Sequence, residues 1–292
     1  MRERVLLAVF RLLSWLPLPL NHAVGALIGR LLLLLPTRMA RVAALNIQRC
    51  LPELSDAERA ALLRRAMVES GKTFSEMGPM WHWRGERLLG LIRSVENIEA
   101  VDAAMAEGRG VVMMTPHHSS WEIAGLYCAS RWPMTTLYRP PRMVALEPLI
   151  RERRTRTGTR LARTDAAGVR ALMQGLKRGE MLGILPDQEP GEGNGVFAPF
   201  FAIPAYTMVL VGRLARKSGA PVFLARTERL PRGGGYRIRF VRCSDAIASE
   251  RLEEGAGALN AEVEGVVRWL PEQYQWGYRR FKSRPEGASA FY

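Results

Sequence analysis

Cysteine and histidine are scarce in this 292-residue chain: three cysteines, Cys50, Cys128 and Cys243, and four histidines, His22, His82, His117 and His118. The cysteines lie far apart with no CxxC pair, which fits neither a disulfide framework nor a zinc site and leaves reduced thiols in the cytoplasm. No His-Glu-x-x-His helix and no Gly-x-Ser-x-Gly elbow occurs, so neither a zinc protease nor a serine hydrolase has sequence support. Acidic residues are also in deficit, 28 against 42 Lys and Arg, for a net charge of +14. Anionic partners are therefore expected. The basic residues are scattered as arginines, without zinc-finger spacing, RNP-like aromatics or a recognition helix, so the expected anion is a lipid or an acidic carrier protein and not a nucleic acid. Internal repeats and low-complexity linkers are missing as well. At 48% hydrophobic residues, a chain of this length holds one large core without disulfides or metals, with room for an N-terminal appendage.

Leucine is what the N-terminus has in excess. Val5 to Leu35 is almost wholly apolar and ends in the run Leu31–Leu35, but Arg11, Asn21, His22 and Arg30 interrupt it. A clean span would need about 20 uninterrupted apolar residues. Arg4 and Arg11 are seven apart and share a helix face, with Leu6, Leu7, Phe10 and Leu13 on the other, the pattern of a helix lying in a membrane interface. A signal peptide fits less well, because Arg11 breaks its apolar centre and Ala23-Val-Gly-Ala26 is a poor cleavage site. Residues 1–36 are expected to be retained membrane-anchoring helices, with a buried helix pair as the competing reading. Arg38 and Arg41 follow at once and favour a cytoplasmic flank.

Ser55-Asp-Ala-Glu58 reads as a capping box opening a helix that continues to about Trp81. From about residue 97 short apolar runs alternate with helical segments, the pattern of an α/β domain with a mostly parallel central sheet flanked by helices. Val111–Thr115, Met134–Tyr138, Met181–Leu185 and Pro221–Ala225 read as buried strands, and Tyr236–Arg242 alternates as a strand with one solvated face. Helices are expected at 121–130, 145–157, 165–178 and 206–218. Three strands run straight into polar residues: Pro116-His117-His118, Arg139, and Pro186-Asp187-Gln188. In open α/β sheets ligands gather beyond the carboxyl ends of strands, so these ends would build one pocket.

Thr115-Pro-His117-His118-Ser-Ser-Trp-Glu122 places an imidazole at a strand end and a carboxylate five residues later at a helix start. A neutral histidine can take a proton from a hydroxyl, and a carboxylate on its other ring nitrogen fixes the tautomer and steadies the imidazolium. That is the base and orienter of a triad whose nucleophile would be the substrate's own hydroxyl. Spacing alone leaves a packing or surface histidine equally open. Joint metal ligation by His117 and His118 is disfavoured because adjacent residues on a strand point to opposite faces; no metal and no cofactor is expected. Ser119 and Ser120 suit capping or turn roles, and His82, between Trp81 and Trp83, suits a structural one.

These residues also carry a resemblance. His117-X4-Glu122 resembles the His-X4-Asp/Glu dyad of the glycerolipid acyltransferase superfamily, in the glutamate form of the lipid A secondary acyltransferases, the lauroyl and myristoyl transferases. Asn46-Ile-X3-Leu51-Pro-Glu-Leu54, Tyr138-Arg139-Pro140 with Arg154-X3-Gly158, Asp187-Gln188 with Phe197-X2-Phe200-Phe201, and Pro271 to Lys282 resemble further blocks of that family in the same order. Pro116 before His117 and Ser119-Ser120 inside the loop depart from its usual Asn or Gly and Gly-Asn. The resemblance implies an acyltransferase domain at 37–292. The implied reaction moves a fatty acyl chain from acyl carrier protein, or coenzyme A, to a hydroxyl of a Kdo-bearing lipid A precursor at the cytoplasmic face of the inner membrane. It implies His117 as general base and Glu122 as its carboxylate partner. Arg139, Arg151 and Arg154 become candidates for phosphate or carrier binding, since Arg forks suit phosphate, and Asp187 either braces an arginine or shapes the pocket. The alternatives are another membrane lipid acceptor, such as a lysophospholipid, aminolipid or pigment precursor, a hydrolase, or a non-catalytic lipid-binding relative.

Overall fold

The computed structural model describes every residue but Met1, Arg142, Val144 and Ala145. Its longest helix starts where the capping box predicts. The Ser55 hydroxyl accepts from the Glu58 amide at 3.3 Å, the Glu58 carboxylate accepts from the Ser55 amide at 2.8 Å, and the helix then runs Asp56–His82. We number it α4, after α1 (Arg2–Leu13), α2 (Leu18–Leu34) and α3 (Arg38–Cys50).

Glycine sets how α2 meets α4. A Cβ at Gly29 would lie 2.1 Å from the Met67 carbonyl oxygen, and one at Gly71 2.1 Å from that of Gly25, so only hydrogen lets the two backbones touch, in the manner of small-residue helix pairs. Asn21 locks the contact, donating to the Leu13 and Ser75 carbonyls at 3.0 and 3.1 Å. Beyond Leu18 the buried face of α2 is thus small and polar (Asn21, His22, Gly25, Ala26, Gly29), while Leu20, Val24, Leu27, Leu31 and Leu34 are exposed. On α1, Phe10 and Leu13 pack inward, Phe10 against Phe74 and Trp81; that face, expected at the membrane, belongs to the core, and Val5 and Leu12, with Trp15 just beyond the helix, are exposed instead. Among the described residues no single helix is long and apolar enough to cross a membrane; α2 and α3 reach that length and composition only as a pair bent by 84°.

After α5 (Gly85–Leu89) come β1 (Ile92–Glu96), α6 (Ile98–Ala106), β2 (Val111–Met114), α7 (Trp121–Arg131), β3 (Met134–Tyr138), α8 (Glu147–Thr155), β4 (Arg160–Arg163), α9 (Ala166–Lys177) and β5 (Met181–Ile184). The expected helix start at Ala145 lies outside the described residues. A hairpin follows, β6 (Gly195–Phe200) and β7 (Ile203–Met208), then α10 (Leu210–Ser218), β8 (Val222–Arg229), β9 (Tyr236–Arg242) and α11 (Leu252–Trp269). The helix expected from Tyr206 therefore begins later, because residues through Met208 pair with β6.

The protein is α/β. Seven strands form one sheet in the order β1-β9-β8-β2-β5-β3-β4, parallel at every pair except β8–β9. Central β2 and β5 are buried throughout, as sheets covered by helices on both faces require. Alternation divides their side chains: Val112, Met114, Leu182 and Ile184 join a core with α3, α9, α10 and α11, while Val111, Met113 and Met181 face α6 and α7. Fully burying side chains of this size stabilises by roughly 1.5–3 kcal/mol each, which fixes the sheet that carries the site.

Candidate active site

The β2–β5 ladder sets the centre of the site. Met114 pairs with Ile184, and the Thr115 amide continues the ladder to the Ile184 carbonyl at 3.1 Å. Three residues beyond each paired position stand His117 and Asp187. They meet there. His117 Nδ1 lies 2.8 Å from Asp187 Oδ1, and the His117 backbone amide donates to Oδ2 at 2.9 Å. Both carboxylate oxygens are therefore spent on one residue. Asp187 is 3% exposed; burial alone would raise its pKa, but the charge of His117 and the bonds from its ring and amide outweigh burial and hold the carboxyl below the ordinary value.

Among the described residues Asp187 bonds no arginine; it, and not Glu122, is the carboxylate hydrogen-bonded to His117. Glu122, in the first turn of α7, is engaged elsewhere: Arg154 of α8 grips it with Nη2 on Oε1 and with Nε 3.3 Å from Oε2. The physical reason is twofold. The imidazole nitrogen on the protein side is already satisfied by the Asp187 carboxylate just beyond β5, and a guanidinium fork matches a carboxylate bidentately. Burial pushes the Arg154 pKa down, yet the Glu122 charge and bonds overcome it and leave it raised.

The loop between His117 and Glu122 is held from the C-terminal segment. The Ser119 amide donates to the Gln273 carbonyl at 2.8 Å, and the Gln275 amide donates to the His117 carbonyl at 3.1 Å. Ser119 turns the chain with φ at +52°, a conformation that disfavours side chains, and its buried hydroxyl has no partner. Trp276 and Arg280 of this segment are buried, Arg280 donating to the Tyr206 carbonyl and Thr207 hydroxyl at 2.7 and 2.8 Å. The tail is packed into the fold there. His118 points away from His117, its ring nitrogens 3.2 and 2.9 Å from the Thr227 and Leu270 carbonyls. Burial pushes its pKa down to about 4, so it is a neutral packing residue at pH 7.

Trp121, whose ring centroid lies 4.9 Å from that of His117, opens a cleft of about 750 Å³ including its mouth. Its walls are apolar, with Met80, Leu126, Met134, Leu161 and Leu185, and Gly183 as a small position; Glu122, Arg153, Arg154 and Arg156 supply charge. This fits the usual composition of a ligand pocket, mostly apolar with a few placed polar groups. Arg139 and Arg151 are exposed and do not line it. Arg153 and Arg156 do, and sequence reasoning missed them; the available signal was their spacing of three, which places them on one helix face. Arg156 donates to the Trp83 carbonyl at 2.8 Å, and burial followed by the neighbouring Arg153 charge lowers its pKa. An imidazole so oriented, beside an apolar cleft with arginines at its wall, can deprotonate a hydroxyl next to a long apolar chain bearing an anionic group.

Comparison with known proteins agrees in kind. The pattern of the family described as bacterial lipid A biosynthesis acyltransferase matches residues 4–283. The chain is 29% identical over 289 residues to the lipid A biosynthesis lauroyltransferase of Escherichia coli (strain K12), covering 98% of this chain and 93% of that one. It is similar also to that organism's palmitoleoyltransferase of lipid A biosynthesis, 29% over 98% of this chain and 92% of the relative, and to its myristoyltransferase, 26% over 92% and 82%.

Proposed function

We propose that this chain, which belongs to the bacterial lipid A biosynthesis acyltransferases, moves a fatty acyl group from the thioester of acyl carrier protein to a hydroxyl of a Kdo-bearing lipid A precursor. The observation that carries this reading is the His117–Asp187 pair, 2.8 Å apart, beside the apolar cleft. In the reaction the acceptor oxygen attacks the thioester carbonyl carbon while its proton passes to His117 Nε2. The carbon–sulfur bond then breaks, and the departing sulfur takes that proton, leaving ester and thiol. Asp187, accepting from Nδ1–H, holds the tautomer and offsets the imidazolium charge. Glu122 acts one step back, fixing Arg154 for an anionic group of donor or acceptor. Arg153 and Arg156 add to the same field, and the apolar walls take the acyl chain.

The net charge of +14 favours an acidic carrier and a phosphorylated lipid. The exposed apolar residues of α1 and α2 support attachment to the inner membrane, with the site at the cytoplasmic face. Their inward faces are already satisfied by α4, and so broad an apolar surface marks an interaction site. The test is to incubate membranes holding this protein with carrier protein bearing defined acyl chains and identify the acylated lipid by mass spectrometry. Label in a Kdo-bearing lipid A precursor, lost in His117→Ala, is expected. Label only in phospholipid would reject the acceptor, free fatty acid at saturating acceptor would reject the transfer, and full activity of His117→Ala would reject the base.

A further inference from the structure

The ring nitrogen on which the reaction depends has a partner already. Gln188 Nε2 lies 3.2 Å from His117 Nε2. Asp187 offers only acceptors to Nδ1, so the single proton of the neutral ring resides on Nδ1 and Nε2 presents its lone pair. The Gln188 contact is then an amide N–H donated to the lone pair that must accept the substrate's proton. Among the described residues no other side chain bonds Nε2. Trp121 stacks on the ring from α7, Glu122 is tied to Arg154, and Asp187 holds Nδ1. From the C-terminal segment the Gln275 amide donates to the His117 carbonyl. Tyr274 lies buried nearby, its hydroxyl kept protonated by burial and by the Asp187 charge, and His118 faces the other way.

We propose that Gln188 is a positioning residue that keeps the Nε2 lone pair of His117 covered until an acceptor hydroxyl displaces the amide. This rests on reading His117 as the base. This contact bears on which nucleophile reacts. Water attacking the same thioester would give fatty acid and thiol, its proton passing through Nε2 to the departing sulfur as in transfer. Water must break the Gln188 bond with no further contacts to compensate, whereas a bound acceptor lipid brings binding energy of its own. Gln188 therefore biases the enzyme toward transfer over hydrolysis.

The test uses the full chain in detergent micelles with carrier-bound acyl donor and acceptor lipid, the products read by mass spectrometry. Gln188→Glu replaces the donor by an acceptor, which cannot cover the lone pair, and is expected to raise the ratio of free fatty acid to acylated lipid. Gln188→Ala, which adds no charge and keeps the test alive should the first variant not fold, is expected to raise the ratio of free fatty acid to acylated lipid about fivefold, the effect of one hydrogen bond. Gln188→Asn, retaining an amide, should recover part of it. An unchanged product ratio in Gln188→Glu, or in Gln188→Ala, overturns the proposal. Neither outcome touches the base assignment, which falls only if His117→Ala transfers normally.

Discussion

Arg229 at the end of β8 is the residue whose replacement should be felt most. Its guanidinium grips Glu76 of α4 through Nε and Nη2, both at 2.7 Å, and reaches Glu69 at 2.7 Å and Thr73 at 3.0 Å. Glu76, fully buried, accepts in addition from Tyr236 at 2.7 Å and lies 2.7 Å from His22 Nε2. Burial would raise the Glu76 pKa, but the Arg229 charge and bonds, then those of His22, drive it far below the usual carboxylate range. Arg229→Met removes the only arginine in contact with Glu76 among the described residues. Stripping one partner from a buried pair destabilises by about 3–5 kcal/mol, and at roughly 2–4 °C per kcal/mol for a chain of this size the melting temperature should fall by about 10 °C. The loss should shrink as pH drops, because the orphaned Glu76 escapes by protonating. Arg229→Met combined with Glu76→Leu removes both charges and should recover most of the loss. Urea unfolding of wild type, both single variants and the double variant in one detergent measures each term. A single-variant loss under 1 kcal/mol, or a double variant no better than Arg229→Met, would refute the reasoning.

Asp187→Asn should lower kcat by about 10²–10⁴ with little change in thermal stability, because His117 loses its tautomer control; steady-state transfer assays read it. Glu122→Gln and Arg154→Gln should impair transfer alike, and the double variant should be no worse than either, since they act as one pair. His118, pushed down to about 4 from an ordinary value near 6.5, binds its proton more readily unfolded than folded. Stability is then complete above about pH 6.5 and falls as pH drops toward 4, by about 3 kcal/mol in all, and His118→Gln should flatten that stretch of a stability–pH curve. Ser119→Gly should raise stability by about 0.5–1 kcal/mol in urea titrations, because glycine accepts a positive φ freely and removes an unpartnered buried hydroxyl.

Local signals were legible in the sequence. The Ser55 cap and the strands at β2, β3, β5 and β9 are written in neighbouring residues, and so is the location of His117 at a strand end. The partner of His117 was not, because it depends on strand order: β5 enters the sheet between β2 and β3 although β3 and β4 precede it in the chain, and periodicity carries no information about which strands adjoin. The β6–β7 hairpin is not legible in the sequence because its turn residues Phe201 and Ala202 both have positive φ without the Gly or Asn that announces such turns. In the sequence β8 reads as stopping at Ala225 because Thr227 and Arg229 are polar, yet both are buried; the ion pairs with α4 accommodate Arg229, while the Thr227 hydroxyl has no partner.

The rung at Met114 and Ile184 has a consequence for how such a chain can change. His117 and Asp187 are brought together by counting: the same number of residues separates each from a backbone bond that is indifferent to side-chain identity. Exchanging one apolar residue of β2 or β5 for another alters packing and leaves the count intact. Deleting or inserting a single residue between Met114 and His117, or between Ile184 and Asp187, makes the two counts unequal and carries one partner out of step with the other. Mutational tolerance here should therefore be generous to letters and intolerant of length.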